Sequence, residues 1–384
     1  MKKIFASVMT VLLAGSYFSI ANAQDDISNI FKAGVADLNT VANGYLKPAG
    51  NSFSAGLGSN WYNTAAVHKT FGFDLTIGAG IIQSPASDQT FSLIGLKSLT
   101  PTGSTQAPSF TGKGDGVELT LMQPRTLSNG NPNPLWTNPS TRNIVSFTTP
   151  SAVSKYIPTA SIQFTIGLPV INDVSIRFTP TVKAKGFETS LWGIGIKHNI
   201  KQWIPVVKDL PFDAAVVLAY SKFSLNYAFP TSAQITPDKL VGENLSYAPD
   251  ANLNDYTTQG MKISASAGTA NLVFSKKLAF ITPYIGFGVT SSNFDLTMEG
   301  NYPTLGDPKT HTVSGVSVPD LDQNGKPIMQ IKNIADPVKI SSSEVMTNAT
   351  LGLRLKLLGV IAFHAQYAFQ KYPVASAGFG LTFR

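Results

Sequence analysis

The chain closes with TLGLRLKLLGVIAFHAQYAFQKYPVASAGFGLTFR, Thr350 to Arg384, and its alternation is nearly unbroken. Leu351, Leu353, Leu355 and Leu357 oppose Thr350, Gly352, Arg354 and Lys356. Past LLG (357–359), Ile361, Phe363, Ala365, Tyr367 and Phe369 oppose Ala362, His364, Gln366, Ala368 and Gln370. Then Ala377, Phe379, Leu381 and Phe383 oppose Gly378, Gly380, Thr382 and Arg384. A period of two means strands with two unlike faces. A soluble sandwich or barrel would turn the apolar face inward and dress the other in Lys and Glu. A membrane barrel inverts this, with apolar faces toward lipid and small or polar side chains in a crowded lumen. Gly, Ala, Ser and Thr on the second face fit the inverted arrangement.

The same period governs FDLTIGAG (73–80), SIRFTPTVK (175–183) and NFDLTME (293–299). Aromatics fall near strand ends, at Phe71, Tyr220, Tyr227, Tyr284, Tyr367, Phe369, Tyr372 and Phe383, where an interfacial girdle would hold them. Strands are expected near 71–82, 89–97, 117–122, 159–168, 174–185, 187–198, 211–227, 260–276, 279–298, 339–356, 359–370 and 374–383. The expected fold class is all-β: a transmembrane antiparallel β-barrel of 12–14 strands with a short N-terminal helical plug segment. Short connections (168–173, 275–278, 357–359) alternate with long ones rich in Pro, Asn, Gly and Asp (123–158, 228–259, 299–338). Periplasmic turns and extracellular loops alternate in this way. With both termini periplasmic each of these connections falls on its proper side; the long stretch 98–116 fits poorly, since the strand count makes it periplasmic.

At the other end, Lys2 and Lys3 precede an apolar run from Ile4 to about Ile20 and a small-x-small site, Ala21-Asn22-Ala23. These are the parts of a secretory signal, so residues 1–23 are read as a cleaved leader to the bacterial outer membrane. Beyond it no apolar run approaches the ~18 residues of a membrane helix. The absence of cysteine rules out a disulfide framework and thiol chemistry. Losing Lys2 and Lys3 leaves 27 of the 29 basic residues against 22 acidic ones, too mild a balance to point to nucleic acid. Only 13% of residues are charged, about half the usual share of a soluble domain. Residues 24–70 are read as a helical plug or periplasmic segment and 71–384 as the barrel. Ile27, Ile30, Phe31, Gly34, Leu38, Val41 and Tyr45 follow helical spacing, with Asp25 and Asp26 at the start and Pro48 beyond the expected stop. A second short helix is expected over 200–210.

YLKPAGNSFSAGLGSNWYNTA (45–65) resembles the plug segment of the long-chain fatty-acid transporters of the outer membrane, the FadL-like channels. GIGIKHNIKQWIPVVKDLPFDAAVVLAYSKF (193–223) is similar to a strand–periplasmic helix–strand unit of that family's barrels. The resemblance implies passive diffusion of a small hydrophobic or amphipathic molecule through a barrel blocked by its N-terminal segment, with Phe31, Leu38, Tyr45, Lys47 and Pro48 in the plug. Lys47 stands where the family has Asn. The closing strand, with Phe383 next to last, resembles the signal read by barrel-assembly machinery.

Alternation places Asp74, Arg177, Lys183, Asp295, Glu299, Arg354, Lys356 and His364 on the lumen face. They would form a polar throat for a carboxylate head group or simply pair across the lumen. With four histidines and no nucleophile elbow, metal spacing or phosphate loop, no catalytic, metal or cofactor residues are assigned. The expected partners are outer-membrane lipid, the assembly machinery and a hydrophobic small molecule, with a monomeric barrel. The alternative is a surface structural or adhesion protein acting through its long loops.

Overall fold

Ten strands, each antiparallel to both neighbours, close into one barrel. The computed structural model describes residues 30–137, 142–169, 172–184, 186–203, 210–241, 244–248 and 255–383. The proposed leader, Asp25, Asp26, Ile27, residues 204–209 of the expected second helix, and Arg384 lie outside them. In chain order the barrel strands are β1 (Phe73–Gln83), β2 (Tyr156–Leu168), β3 (Asn172–Ala184), β4 (Phe187–Asn199) and β5 (Asp213–Ala228). They continue as β6 (Gly260–Ser275), β7 (Ile281–Glu299), β8 (Lys339–Leu357), β9 (Ile361–Phe369) and β10 (Val374–Phe383). Each pairs with its successor, and β10 closes on β1 with Phe383 opposite Phe73. Following the paired residues from Arg177 one way round reaches Glu344 on β8, and the other way Lys356, a stagger of 12 residues. For ten strands that stagger means a tilt of roughly 40°.

The inverted faces are real. Along β1, Phe73, Leu75, Ile77, Ala79 and Ile81 are exposed while Asp74, Thr76, Gly78, Gly80 and Ile82 are buried. On β8 the outward apolar residues run from Leu357 to Val345; at ~3.3 Å per residue and this tilt they cover roughly 30 Å, the thickness of a hydrocarbon core. Aromatic residues edge the band: Phe73 packs on Phe383 and Phe164 at one end, and Trp192 on Tyr220 toward the other.

Above the band the rule reverses. On β7, Phe294 and Leu296 point inward and are buried, whereas Asn293 and Asp295 face out. On β8, Ile340 is buried and Ser341 and Ser343 are exposed. Here the wall stands in water, so the outer face turns polar and the inner face becomes core. A single lipid-facing parity along each strand does not survive this boundary.

Two expected strands are not in the wall. Residues 89–97 and 117–122 belong to small sheets inside one long connection, 84–155, which pairs Thr90–Ser92 with Gln106–Pro108 and Glu118–Met122 with Leu99–Pro101 and Asn143–Thr148. The barrel therefore has ten strands, not 12–14. Because an even number was removed, the alternation of ends survives, and 98–116 moves to the loop end. That end carries the long connections after β1, β5 and β7 and the short ones after β3 and β9; the opposite, turn end carries those after β2, β4, β6 and β8. The described parts of these loops pack into a cap whose core includes Leu93, Leu119, Phe147, Leu240, Tyr302 and Val338.

The N-terminal helix α1 (Val35–Leu57) runs down the lumen. Its first turns sit in the cap, where Asp37 accepts the N–H groups of Lys97, Ser98 and Leu99 at 2.6, 2.7 and 2.9 Å. Just before it, Phe31 stacks on Tyr302 at 5.0 Å. Toward its C-terminus Gly50, Asn51, Ser52, Ser54, Ala55, Gly56 and Leu57 are all buried, as a helix surrounded by barrel wall must be. Pro48 does not end it. The ring costs the helix its Gly44 carbonyl bond, but the surrounding wall holds the turn and Ser52 Oγ donates to the Pro48 carbonyl at 2.9 Å. After Leu57 the chain descends to Phe71 at the turn end and enters β1. Ile30 thus lies at the loop end and Phe383 at the turn end, so the two ends of the described chain are on opposite sides of the band. No described helix is long and apolar enough to cross a membrane; the crossing is made by strands.

Candidate functional site: the plug junction in the lumen

The lower lumen is where sequence-selected charges meet the plug. Arg177, inward-facing on β3 and 3% exposed, caps the C-terminal end of α1. Its Nη1 donates to the carbonyls of Leu57 and Ser59 at 3.2 and 3.1 Å. Its Nη2 donates to the Asn60 carbonyl at 2.8 Å and to Gln163 Oε1 at 3.2 Å, and the guanidinium lies 3.9 Å from the Trp61 ring centre. Four hydrogen bonds and a ring face spread the charge over three carbonyls at and just beyond the helix end and one wall amide. Ser221 Oγ adds a bond to Leu57 O at 3.1 Å.

Below this, Asn60 adopts a left-handed conformation (φ 61°), which Asn tolerates better than most side-chain residues, and turns the chain toward the opposite wall. There its Oδ1 is 3.0 Å from His364 Nε2. Arg354 Nη2 is 3.3 Å from Asp74 Oδ2, and Thr76 Oγ1 donates to Asp74 Oδ1. Gln366 sits between the Tyr284 hydroxyl at 3.0 Å and the Tyr62 carbonyl and Asn60 N–H at 3.2 Å. Nearest the turn end, Asp173 accepts the His68 N–H at 2.8 Å, and its Oδ2 lies 2.8 Å from Lys197 Nζ and 3.1 Å from His68 Nδ1. Lys197 also donates to Ala66 O at 3.0 Å.

The wall glycines belong to the same arrangement. A β-carbon at Gly286 would collide with the Tyr62 hydroxyl and one at Gly78 with the Asn60 amide, while one at Gly195 would lie 2.9 Å from Trp61 Cε3. Each glycine is a recess for a plug side chain. Gly195→Leu should therefore push Trp61 out of place and cost ~1–3 kcal/mol by overpacking. The check is the temperature at which the folded band converts to the unfolded one in detergent gels: a drop is expected, smaller for Gly195→Ala. The cavities beside these junction residues are small: about 30 Å³ beside Trp61 and Lys197, 20 Å³ beside Arg177, and 10 Å³ beside His364 and beside Asn348.

Of the expected lumen residues, Asp74, Arg177, Arg354 and His364 are buried inward, and Lys356 keeps the inward parity, half-buried at the turn end. Lys183, Asp295 and Glu299 are not in the lumen. A bulge at Thr179–Val182, where Pro180 cannot join the ladder, flips Lys183 outward to pair with Glu188 at 2.9 Å. Asp295 accepts from Ser341 Oγ at 2.7 Å on the outer face above the band, and Glu299 lies 3.8 Å from Lys262. Among the expected plug residues, Phe31 and Leu38 lie in the cap core and Tyr45 donates to Ser151 O at 2.9 Å. Lys47 and Pro48 are half-buried within α1. Sequence reading did not assign Asp173, Lys197, Gln366, Tyr284 or Trp61 to the site; Tyr284 and Tyr372, expected in the aromatic girdle at the lipid interface, are instead buried, at 4% and 0% exposed. Inward parity marks Asp173, Lys197, Gln366 and Tyr284, but which of them meets the plug is set by register.

Residues 1–383 match the family described as Family of unknown function (DUF6588). The chain belongs to that family. No curated protein matches this DUF6588 member. Among solved structures it is similar to Ail, the attachment invasion locus protein of Yersinia pestis, at 7% identity over 82% of this chain and 99% of Ail, with a TM-score of 0.24. It is similar to the outer membrane transporter YddB from Escherichia coli at 9% identity over 80% of this chain and 41% of that one (TM-score 0.27). The P. putida toluene transporter TodX matches at 10% identity over 86% and 94% (TM-score 0.22). Likeness at this level carries no information about role.

Proposed function

We propose that this DUF6588 protein is an outer-membrane barrel held shut by its own N-terminal segment, acting through the surface that its loops build. The carrying observation is the use to which the inward charges are put. Arg177 holds the end of the plug helix, Lys197 and Asp173 hold residues 66–68, and Arg354 with Asp74 lines the wall beside Asn60 and His364. These side chains fasten a closure; they do not line a water path. In this reading residues 1–23 export the chain, 24–70 form the plug, 71–384 form the barrel, assembly machinery inserts it, and it stands in the membrane as a monomer. The cap of loops 84–155, 229–259 and 300–338 is then the working surface of a structural or adhesion protein. Planar-bilayer recording tests this: the unmodified protein should be electrically silent, and steady ionic conductance from it would overturn the reading.

A second reading keeps passage of a small hydrophobic or amphipathic molecule. It is favoured by the upper lumen, where Phe294, Leu296, Ile340 and Phe223 face α1 and Phe53 packs edge-on against Phe223 at 4.8 Å. If α1 moved, it would leave an apolar shaft rather than a watery pore. Uptake of a hydrophobic dye by liposomes carrying the silent, unmodified protein would favour this reading over the first.

A further inference from the structure

The outer wall is not evenly covered. Across β4–β8 there is a depression of about 550 Å³ on the lipid-facing side. The strand registers set Ile194, Tyr220, Gly268, Ser291 and Val345 in one row around the barrel. Ile196, Leu218, Ala270, Val289 and Thr347 form the row beneath. Gly268 and Ala270 form the floor, with Leu218 and Tyr220 rising on one side and Val289 on the other. The row above is polar apart from Trp192, which edges the band: Lys222, Ser266, Asn293 and Ser343. Lys222 is exposed and is the one charged residue in that row, and no carboxylate shares it. The depression thus begins just under the loop-side edge of the apolar band, with a cation at its mouth.

We propose that this groove binds one acyl chain of an anionic diacyl phospholipid, with the head-group phosphate against Lys222. Burial below the boundary calls for a hydrocarbon occupant, since an unfilled depression would forfeit contacts along its whole floor. Lysine at this height extends its ammonium into the head-group layer, where phosphate is the anion it meets. One slot with one cation suits a single chain and a single phosphate. A lipid with many chains and several phosphates would call for more cations than this row supplies.

The test uses the purified full-length barrel, delipidated and offered equal amounts of phosphatidylglycerol and phosphatidylcholine, with retained lipid counted by native mass spectrometry. The unmodified protein should retain one phosphatidylglycerol in preference to phosphatidylcholine. Lys222→Gln should retain a lipid but lose that preference. Gly268→Leu should retain neither, because its side chain fills the floor. A β-carbon at Gly268 meets only Tyr220 Cδ2 at 3.9 Å and the Ala219 carbonyl at 4.0 Å, so the variant can fold, and heat-modifiable migration confirms that it has. Retention undiminished in folded Gly268→Leu, or no preference in the unmodified protein, would overturn the proposal. Silence or conductance in bilayers bears only on the plug, so the two readings fail separately.

Discussion

Arg177→Met opens the barrel: the silent protein is expected to show bursts of conductance in planar bilayers, while heat-modifiable migration persists. The guanidinium is buried and satisfies the Leu57, Ser59 and Asn60 carbonyls. Methionine fills part of the volume but donates nothing. Leu57 O keeps its bond from Ser221 Oγ, so the Ser59 and Asn60 carbonyls are the two left unpaired. At roughly 1–3 kcal/mol for each orphaned buried group, the loss is about 3–4 kcal/mol after partial relaxation. The loss falls on the junction between α1 and the descending segment, not on the strand ladder, so local opening rises by two to three orders of magnitude while the barrel stays closed on itself. Water entry at the junction is the readout. Arg177→Lys keeps the charge but cannot form the same fork, and should fall between the two. A silent Arg177→Met barrel whose segment 58–70 resists protease as well as the unmodified one does would show that the cap, not the arginine, holds the plug.

The second large effect is all-or-none. Because the protein contains no cysteine, single introduced thiols report on sidedness without background. Ala36 and Thr40 are exposed on the first turns of α1, in the cap; Lys277 is exposed in the turn between β6 and β7. In intact cells a membrane-impermeant maleimide should label Ala36→Cys and Thr40→Cys and leave Lys277→Cys unlabelled until the outer membrane is permeabilised. Labelling of Ala36→Cys only after permeabilisation would mean that the plug enters from the turn end. The expected pattern has a mechanical consequence. A helix that starts at the loop end and descends cannot be withdrawn into the periplasm by pulling on residues before Ile30; any release of α1 goes outward, pivoting on 58–72.

Much of the fold was legible because a membrane wall constrains both faces of every strand. The alternation of Leu351–Leu357 against Thr350–Lys356 requires lipid on one side and crowding on the other, whichever strands come next to it. The ten wall strands were found for that reason. The two that were misplaced, 89–97 and 117–122, have strand-like pattern but short pairings of three to five residues in the cap. Local pattern does not reveal whether a strand pairs with the wall or with its own loop.

The candidate site was legible only by half. Asp74, Arg177, Arg354 and His364 follow from parity, since each lies inside the band where the inverted rule holds. Lys183 failed because one extra residue at Pro180 reverses every side chain after it. Asp295 and Glu299 failed because the solvent outside β7 changes from lipid to water along the strand.

Sequence alone determined the architecture: period two, small inward residues and short-long connections dictate an inverted, closed sheet, since backbone groups in lipid must all be paired. Tertiary structure decided what fills the sheet and from which side. The path of α1 from cap to turn end, the capping of its last carbonyls by Arg177, and the recesses at Gly78, Gly195 and Gly286 join residues far apart in the chain. Such contacts depend on the stagger of 12 residues around ten strands, a closure property of the whole barrel that no single segment encodes.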